Sequence, residues 1–185
     1  DLGTGKTQLL QSLVYQIVKY PEKNRGKKPN ILILDYKKDY SKDDFVKKTG
    51  AKVVSPYNLP LNLFNTEDCI TDHNKWLERS KFFTDLLSKI FSGMGAPQQY
   101  NVKNAVKRSF EKLSGDPTIY DVFEAYQDAV DKPDSPYAIM SDLVDGGYFE
   151  QDYSKIISFK DFLDGVVVVD LSILGQDDRT KNMLV

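Results

Sequence analysis

The chain has 185 residues, 41% of them hydrophobic and 28% charged, with a formal net charge of −2. That is long enough for one sizeable core, and the composition is that of an ordinary globular domain, not of a disordered or fibrous chain. The charge excludes a surface basic all over, no run of about 18 apolar residues marks a membrane span, and the single cysteine, Cys69, excludes an internal disulfide and suits a reducing cytoplasm.

The chain opens on Asp1-Leu2-Gly3-Thr4-Gly5-Lys6-Thr7, with Gln8 next. These residues fit the phosphate-binding pattern G-x-x-x-x-G-K-[ST] from its second position onward, and a helix-forming run follows at once. Backbone N–H groups of such a turn, feeding a helix N-terminus, present positive partial charge to phosphate oxygens. Gly3 and Gly5 permit a close backbone approach. Lys6 supplies a full charge for the β- and γ-phosphates, and the Thr7 hydroxyl is a Mg²⁺ ligand. The candidate nucleotide-binding residues are therefore Asp1, Leu2, Gly3, Thr4, Gly5, Lys6, Thr7 and Gln8, with ATP and Mg²⁺ as the cofactors. The competing explanation is a chance glycine turn before a helix. A loop of this kind normally hangs from a buried strand, and Asn182-Met183-Leu184-Val185 reads as helix interior without a stop signal. The expectation is a fragment cut at both ends.

Leu9, Leu10, Leu13, Val14, Ile17 and Val18 fall at helical spacing and predict a broad buried stripe, ended by Pro21. Lys19 to Lys28 form a basic, Gly- and Pro-punctuated loop, either a solvated connector or a contact to a phosphate backbone. Ile31-Leu32-Ile33-Leu34-Asp35 reads as a buried parallel strand. A short helix over 43–49 and a strand Lys52-Val53-Val54 follow, so the order predicts a parallel α/β sheet. Residues 56–64 read as an irregular apolar loop. From about 74 to 147 the pattern is helical. One helix carries Trp76, Phe83, Leu87, Ile90 and Phe91, and stops near Gly93. A second carries Val102, Ala105 and Val106; a third starts at Thr118 with Asp121 three residues on; a fourth runs from about Pro136 to Val144. This is a helical insertion whose aromatics read as core and not as a base-stacking platform. Val166 to Asp170 restores a strand, and Asp177 or Asp178 caps a final helix.

Hydrolysis of a nucleotide needs carboxylates as well as a cradle. Asp35 and Asp170 each end an apolar strand, and neither is followed by Glu. Asp170 either touches the metal shell or only caps its strand. Asp35-Tyr36-Lys37-Lys38-Asp39 either faces the nucleotide or a neighbouring subunit, or pairs its charges on the surface. Lys6, Asp35 and Asp39 are thus the candidate catalytic residues, and Thr7 and Asp170 the candidate metal ligands. His73 has no second His or Cys at ligand spacing, and no Ser or Cys has a local base pattern for covalent catalysis.

Taken in order, these segments resemble the HerA/FtsK superfamily of DNA-pumping ATPases. Its members carry Asp-Pro-[Lys/His]-Gly-[Asp/Glu] where this chain has Asp35 to Asp39, with Tyr36 in place of the proline and Lys38 in place of the glycine. Leu59-Pro60-Leu61-Asn62-Leu63-Phe64, Pro117 to Val122 and Val167 to Ser172 are similar to further segments of the HerA and conjugation-ATPase branch. More narrowly, the chain resembles the HerA-like ATPases of phosphorothioation-dependent restriction systems. The resemblance implies a RecA-like (ASCE) P-loop NTPase sheet with a helical insertion, the whole of 1–185 being part of one ATPase domain. It implies a hexameric homo-oligomeric ring acting on double-stranded DNA in the cytoplasm, restriction-system partner proteins and no membrane. It also places the catalytic Asp/Glu pair after Val185 and the arginine finger elsewhere, so the segment alone is expected to be a poor ATPase. Two other functions compete. A small-molecule kinase would need an arginine-rich lid, and Arg25, Arg79, Arg108 and Arg179 are scattered. A nucleotide-gated scaffold would bind ATP without turnover.

Overall fold

The structure is a computed structural model describing residues 5–70, 73–90 and 93–185. In chain order its elements are α1 (Lys6–Lys19), β1 (Ile31–Asp35), α2 (Asp43–Thr49), β2 (Lys52–Val54), α3 (Lys75–Ile90), α4 (Ala96–Lys112), α5 (Ile119–Gln127), α6 (Ser135–Asp145), α7 (Phe159–Phe162), β3 (Val166–Asp170) and α8 (Asp178–Leu184), with 3-10 turns at Pro21–Asn24, Tyr153–Lys155 and Leu171–Leu174. They form two compact units. One runs to Pro56 and resumes at Phe159–Val185; the other is Tyr57–Ser158.

The first unit is built on a parallel sheet in the order β1-β3-β2. Four consecutive valines make β3 apolar on both faces, so it takes the centre, and all five of its residues are buried. β1 and β2, joined through α2, leave between them the slot that β3 fills after the helical unit has intervened. The register is set at the strand entrances, where Ile31 N–H donates to Gly165 O (2.8 Å) and Gly165 N–H to Asn30 Oδ1 (3.1 Å). It pairs Ile31 with Val166 and, at the carboxyl ends, Asp35 with Asp170. Phe45, Ala51, Val166 and Val168 form the core of one face, with Val14, Val18, Ile31, Ile33 and Tyr40 packed against it. α2 fits its own dipole, with Asp43 and Asp44 in the first turn, Lys47 and Lys48 in the last, and Gly50 (φ +68°) closing it through a hydrogen bond to Val46 O. Asp177, not Asp178, caps α8, accepting from Thr180 N–H and Oγ1–H.

α1 departs from the sequence expectation. Of the six apolar positions, Val14 and Val18 reach the core, but Leu9 (71% exposed), Leu10 and Leu13 lie in the open, and no residue of the helix is buried. Periodicity defines a stripe; burial also needs an element opposite it. Among the described residues the sheet offers strands of five, three and five residues. These cover the two valines and not the leucines nearer the N-terminus.

In the second unit α3, α4, α5 and α6 pack in sequence, each against the next. Phe83, Leu87, Val102, Val106, Val122, Tyr126, Met140 and Leu143 fill its interior; Phe91 lies outside the described residues. The Thr118–Asp121 pair forms as the spacing predicts: Asp121 Oδ2 accepts from Thr118 N–H (2.7 Å) and Oγ1–H (2.6 Å), and from the Tyr153 hydroxyl (2.6 Å). Burial acts to raise the Asp121 carboxyl, but these donors outweigh it and hold the group below the usual carboxylate range. Burial, then the hydrogen bond to Asp121, pushes the Tyr153 phenol up to about 12. Tyr126 is raised more strongly, by burial and by its bonds to Asp134, which also caps α6 through Tyr137 N–H. The apolar loop around Leu59 is more ordered than its sequence suggests. Leu59 N–H donates to Tyr148 O (2.8 Å) and Glu150 N–H to Leu59 O (2.9 Å), a one-residue bridge that ties the entry of this unit to its exit.

Two outcomes are expected. A Cβ on Gly146 would stand 2.3 Å from the Tyr148 ring and 2.8 Å from Asp142 O, so Gly146→Ala should cost about 1–3 kcal/mol in denaturant unfolding. Because the Asp121 pKa is lower folded than unfolded, its contribution is complete above the unfolded value near 3.8 and is lost as pH falls through the folded one. Asp121→Asn should therefore destabilise the protein at pH 7 and flatten the fall in stability below about pH 4, read from urea melts across that range.

Candidate functional site

The site begins at the N-terminus of α1. Gly5 (φ +69°) takes a left-handed conformation that a Cβ would disfavour, and Leu9 N–H to Gly5 O (2.9 Å) starts the helix. Lys6 is the first helical residue and is exposed; Thr7 is second and half-buried. The first-turn N–H groups of this 14-residue helix have no intrahelical acceptor, and no acidic residue sits in that turn to compete with an anion. Asp1, Leu2, Gly3 and Thr4 lie outside the described residues.

Opposite stands the loop that follows β1. It wraps around the carboxylate of Asp35, which is 2% exposed. Oδ1 accepts from Lys37 N–H (3.3 Å) and Asp39 N–H (3.0 Å). Oδ2 accepts from Tyr40 N–H (2.8 Å), Ser41 N–H (2.9 Å) and the Ser41 hydroxyl (2.9 Å). Five donors on one buried carboxylate fix the path of residues 37–41. Lys38 takes φ +61°, the left-handed region, at the position where the resembled motif has glycine. Gln11 Nε2 then donates to Asp39 O (2.9 Å), tying this loop to α1.

Between the two walls is a cleft of about 1070 Å³. Gly5, Lys6, Thr7 and Gln8 line one side, Lys37, Asp39 and Lys42 the other, and Gln11, Ser12 and Tyr15 extend it along α1, with Lys48 of α2 also lining it. Residues 5 to 15 span about 15 Å of helix axis. Two of its carboxylates are paired, Asp39 with Lys42 (3.2 Å) and Asp44 with Lys48 (2.7 Å). Beside them the Tyr40 ring packs edge-on against Phe45, and its phenol is raised by burial and then by the Asp35 and Asp39 carboxylates.

The structure thus brings Gly5, Lys6, Thr7, Gln8 and Asp39 to one cleft. Asp35 does not line it and acts from beneath the loop. Asp170 does not line it either; it is buried beside Asp35, and its Oδ1 accepts the Ser172 N–H (3.1 Å) and hydroxyl. Among the described residues no three His, Cys, Asp or Glu side chains are grouped to hold a metal ion. A divalent cation here would rest on the Thr7 hydroxyl together with phosphate oxygens and water, a donor set that suits Mg²⁺.

No protein-family model matches the chain, and no curated protein matches it significantly in sequence. Five chains of solved structures match its fold. Among them is VirB4 of Thermoanaerobacter pseudethanolicus, with a TM-score of 0.66 at 12% sequence identity over 100% of this chain and 51% of that one. The fold is that of a P-loop NTPase. This chain spans about half the length of the VirB4 chain it matches. The match gives no support to the narrower resemblance to restriction-system ATPases.

Within this P-loop fold, sequence reasoning missed Gln11, Tyr15, Lys42 and Lys48 as cleft residues. A signal for the first two was present: Gln8, Gln11, Ser12 and Tyr15 recur at helical spacing on the polar side of α1. Replacing Asp35 with Ala would leave five donors without their acceptor. The expected loss of stability is about 3 kcal/mol in chemical denaturation, with Ser41→Ala costing far less because it removes one donor and strands none.

Proposed function

We propose that this chain is the ATP-binding and hydrolysing core of a motor that acts on double-stranded DNA as a ring of identical subunits. The observation that carries the reading is the cleft itself. Gly5-Lys6-Thr7 opens into it at the N-terminus of a long helix, and a loop braced on Asp35 forms its second wall. The Lys6 ammonium meets the β- and γ-phosphates, and free N–H groups of the first turn cradle them. Thr7 offers its hydroxyl to Mg²⁺, which when bound supplies charge neutralisation on the phosphates. Asp35 is a positioning residue: it holds Lys37 and Asp39 in place facing the phosphate loop. Asp39, released from Lys42, orients groups near the γ-phosphate.

The DNA-directed and ring-forming parts of this proposal are supported by the order of the HerA/FtsK-like segments and by the fold shared with VirB4. A role beside restriction-system partners is supported by the narrower sequence resemblance alone. One observation favours a second reading, a scaffold gated by bound ATP without turnover. Asp35 and Asp170 are both occupied by hydrogen-bond donors, and Asp39 and Asp44 by lysines, so no carboxylate described near the cleft stands ready to activate water.

The test is ATP hydrolysis by the full-length protein with and without double-stranded DNA, beside Lys6→Ala. The motor reading expects hydrolysis stimulated by DNA and a fall of about 100-fold or more in kcat for the variant. Hydrolysis unchanged in Lys6→Ala would remove the assignment. Tight ATP binding without turnover would establish the scaffold reading instead.

A further inference from the structure

The helical unit carries its charge unevenly. α3 and α4 together hold eight Lys or Arg side chains against three Asp or Glu, in a chain whose net charge is −2. The next two helices reverse this: α5 carries Asp121 and Glu124, α6 carries Asp142 and Asp145, and neither has a Lys or Arg. The basic charge is also organised. The Lys103 and Lys107 ammonium groups sit over the half-buried Trp76 ring, 6.0 and 5.6 Å from its centroid. Both lysines are exposed, so the charge held over the ring stays open to solvent. Tyr100, 63% exposed, lies one turn before Lys103 on the same side of α4. Lys107 also pairs with Glu111 one turn on (3.6 Å), an exposed contact that water and salt screen, and at the other side of α4 Lys112 is paired with Glu124 (3.3 Å).

We propose that this Trp76–Lys103–Lys107 face is a contact surface for the phosphate backbone of double-stranded DNA. The inference rests on the motor reading above for the identity of the polyanion and adds where it is held. Lysine ammonium groups are point charges that suit phosphates without regard to sequence, as a motor's track requires. Lys103 and Lys107 are four residues apart, about 6 Å along the helix, and so meet more than one phosphate. The aromatic rings between and beside them add apolar contact to the sugars. The acidic α5 and α6 repel the same polymer, which leaves one orientation for this unit on the duplex.

The experiment measures binding of the full-length protein, without nucleotide, to a mixed-sequence duplex of about thirty base pairs by fluorescence anisotropy across a salt series. Lys103→Glu/Lys107→Glu should weaken binding by at least tenfold, and Lys103→Gln/Lys107→Gln should lower the slope of log K against log salt by about two. Hydrolysis without DNA should be unchanged in both. Wild-type affinity and slope in both variants would overturn this face while leaving the motor reading in place. Absence of duplex binding by the unaltered protein would overturn both. A loss confined to Lys27→Glu/Lys28→Glu, in the basic loop after α1, would place the contact there and overturn this face.

Discussion

A single buried carboxylate organises the cleft. Asp35 ends an apolar strand and would be costly to bury alone, yet it draws four backbone N–H groups and one hydroxyl out of the following six residues. Those donors would otherwise be orphaned in a tight loop. Carboxylate and loop therefore satisfy each other, and the loop acquires one conformation. That conformation is what sets Lys37 and Asp39 opposite the N-terminus of α1, and the Gln11 bond to Asp39 O makes the two walls one piece. The left-handed Lys38 belongs to the same device: a backbone strain of about 1 kcal/mol is held there by five hydrogen bonds.

The sheet places this device. β3 arrives last in the sequence but takes the central position, because its four valines are buried on both faces, whereas β1 is as long but more exposed and β2 is shorter and more exposed. Its pairing with β1 sets Asp170 beside Asp35 at the carboxyl ends, the edge where open parallel sheets gather polar groups. The two aspartates are used alike, each tying down the chain that leaves its strand: Asp35 over six residues and Asp170 over two.

The two units divide the chemistry. The first holds the cleft between the N-terminus of α1 and the loop braced on Asp35. The second is a run of helices, each packed on the next around an apolar interior, and its charge is sorted by helix, basic on α3 and α4 and acidic on α5 and α6. Such sorting does nothing for packing. It costs self-repulsion along α3 and α4, and it is the kind of feature that acts on a charged partner at a distance.

Local signals were enough to read the helix start after Gly5, the parallel strands, the bounds of α2 and the Thr118–Asp121 cap, because each depends on a few neighbouring residues: a glycine before a helix-forming run, a run of β-branched side chains, a hydroxyl three residues before a carboxylate. The Asp35–Asp39 segment stood out in the sequence as charged, but its geometry did not, since which charges face a cleft and which are consumed as internal acceptors depends on how the loop closes. The leucines of α1 show the same limit from the apolar side, a pattern that is local with a burial that is not. Gln11 and Lys48 look like ordinary helix surface until the sheet sets α1 against α2. Lys103 and Lys107 look like solvated charge until α4 packs on α3 and puts Trp76 beneath them. What the chain alone determined were the contacts that close within a turn or a strand; what tertiary structure decided was every role that depends on the far side of a cleft or a helix pair, because that partner is brought in from many residues away.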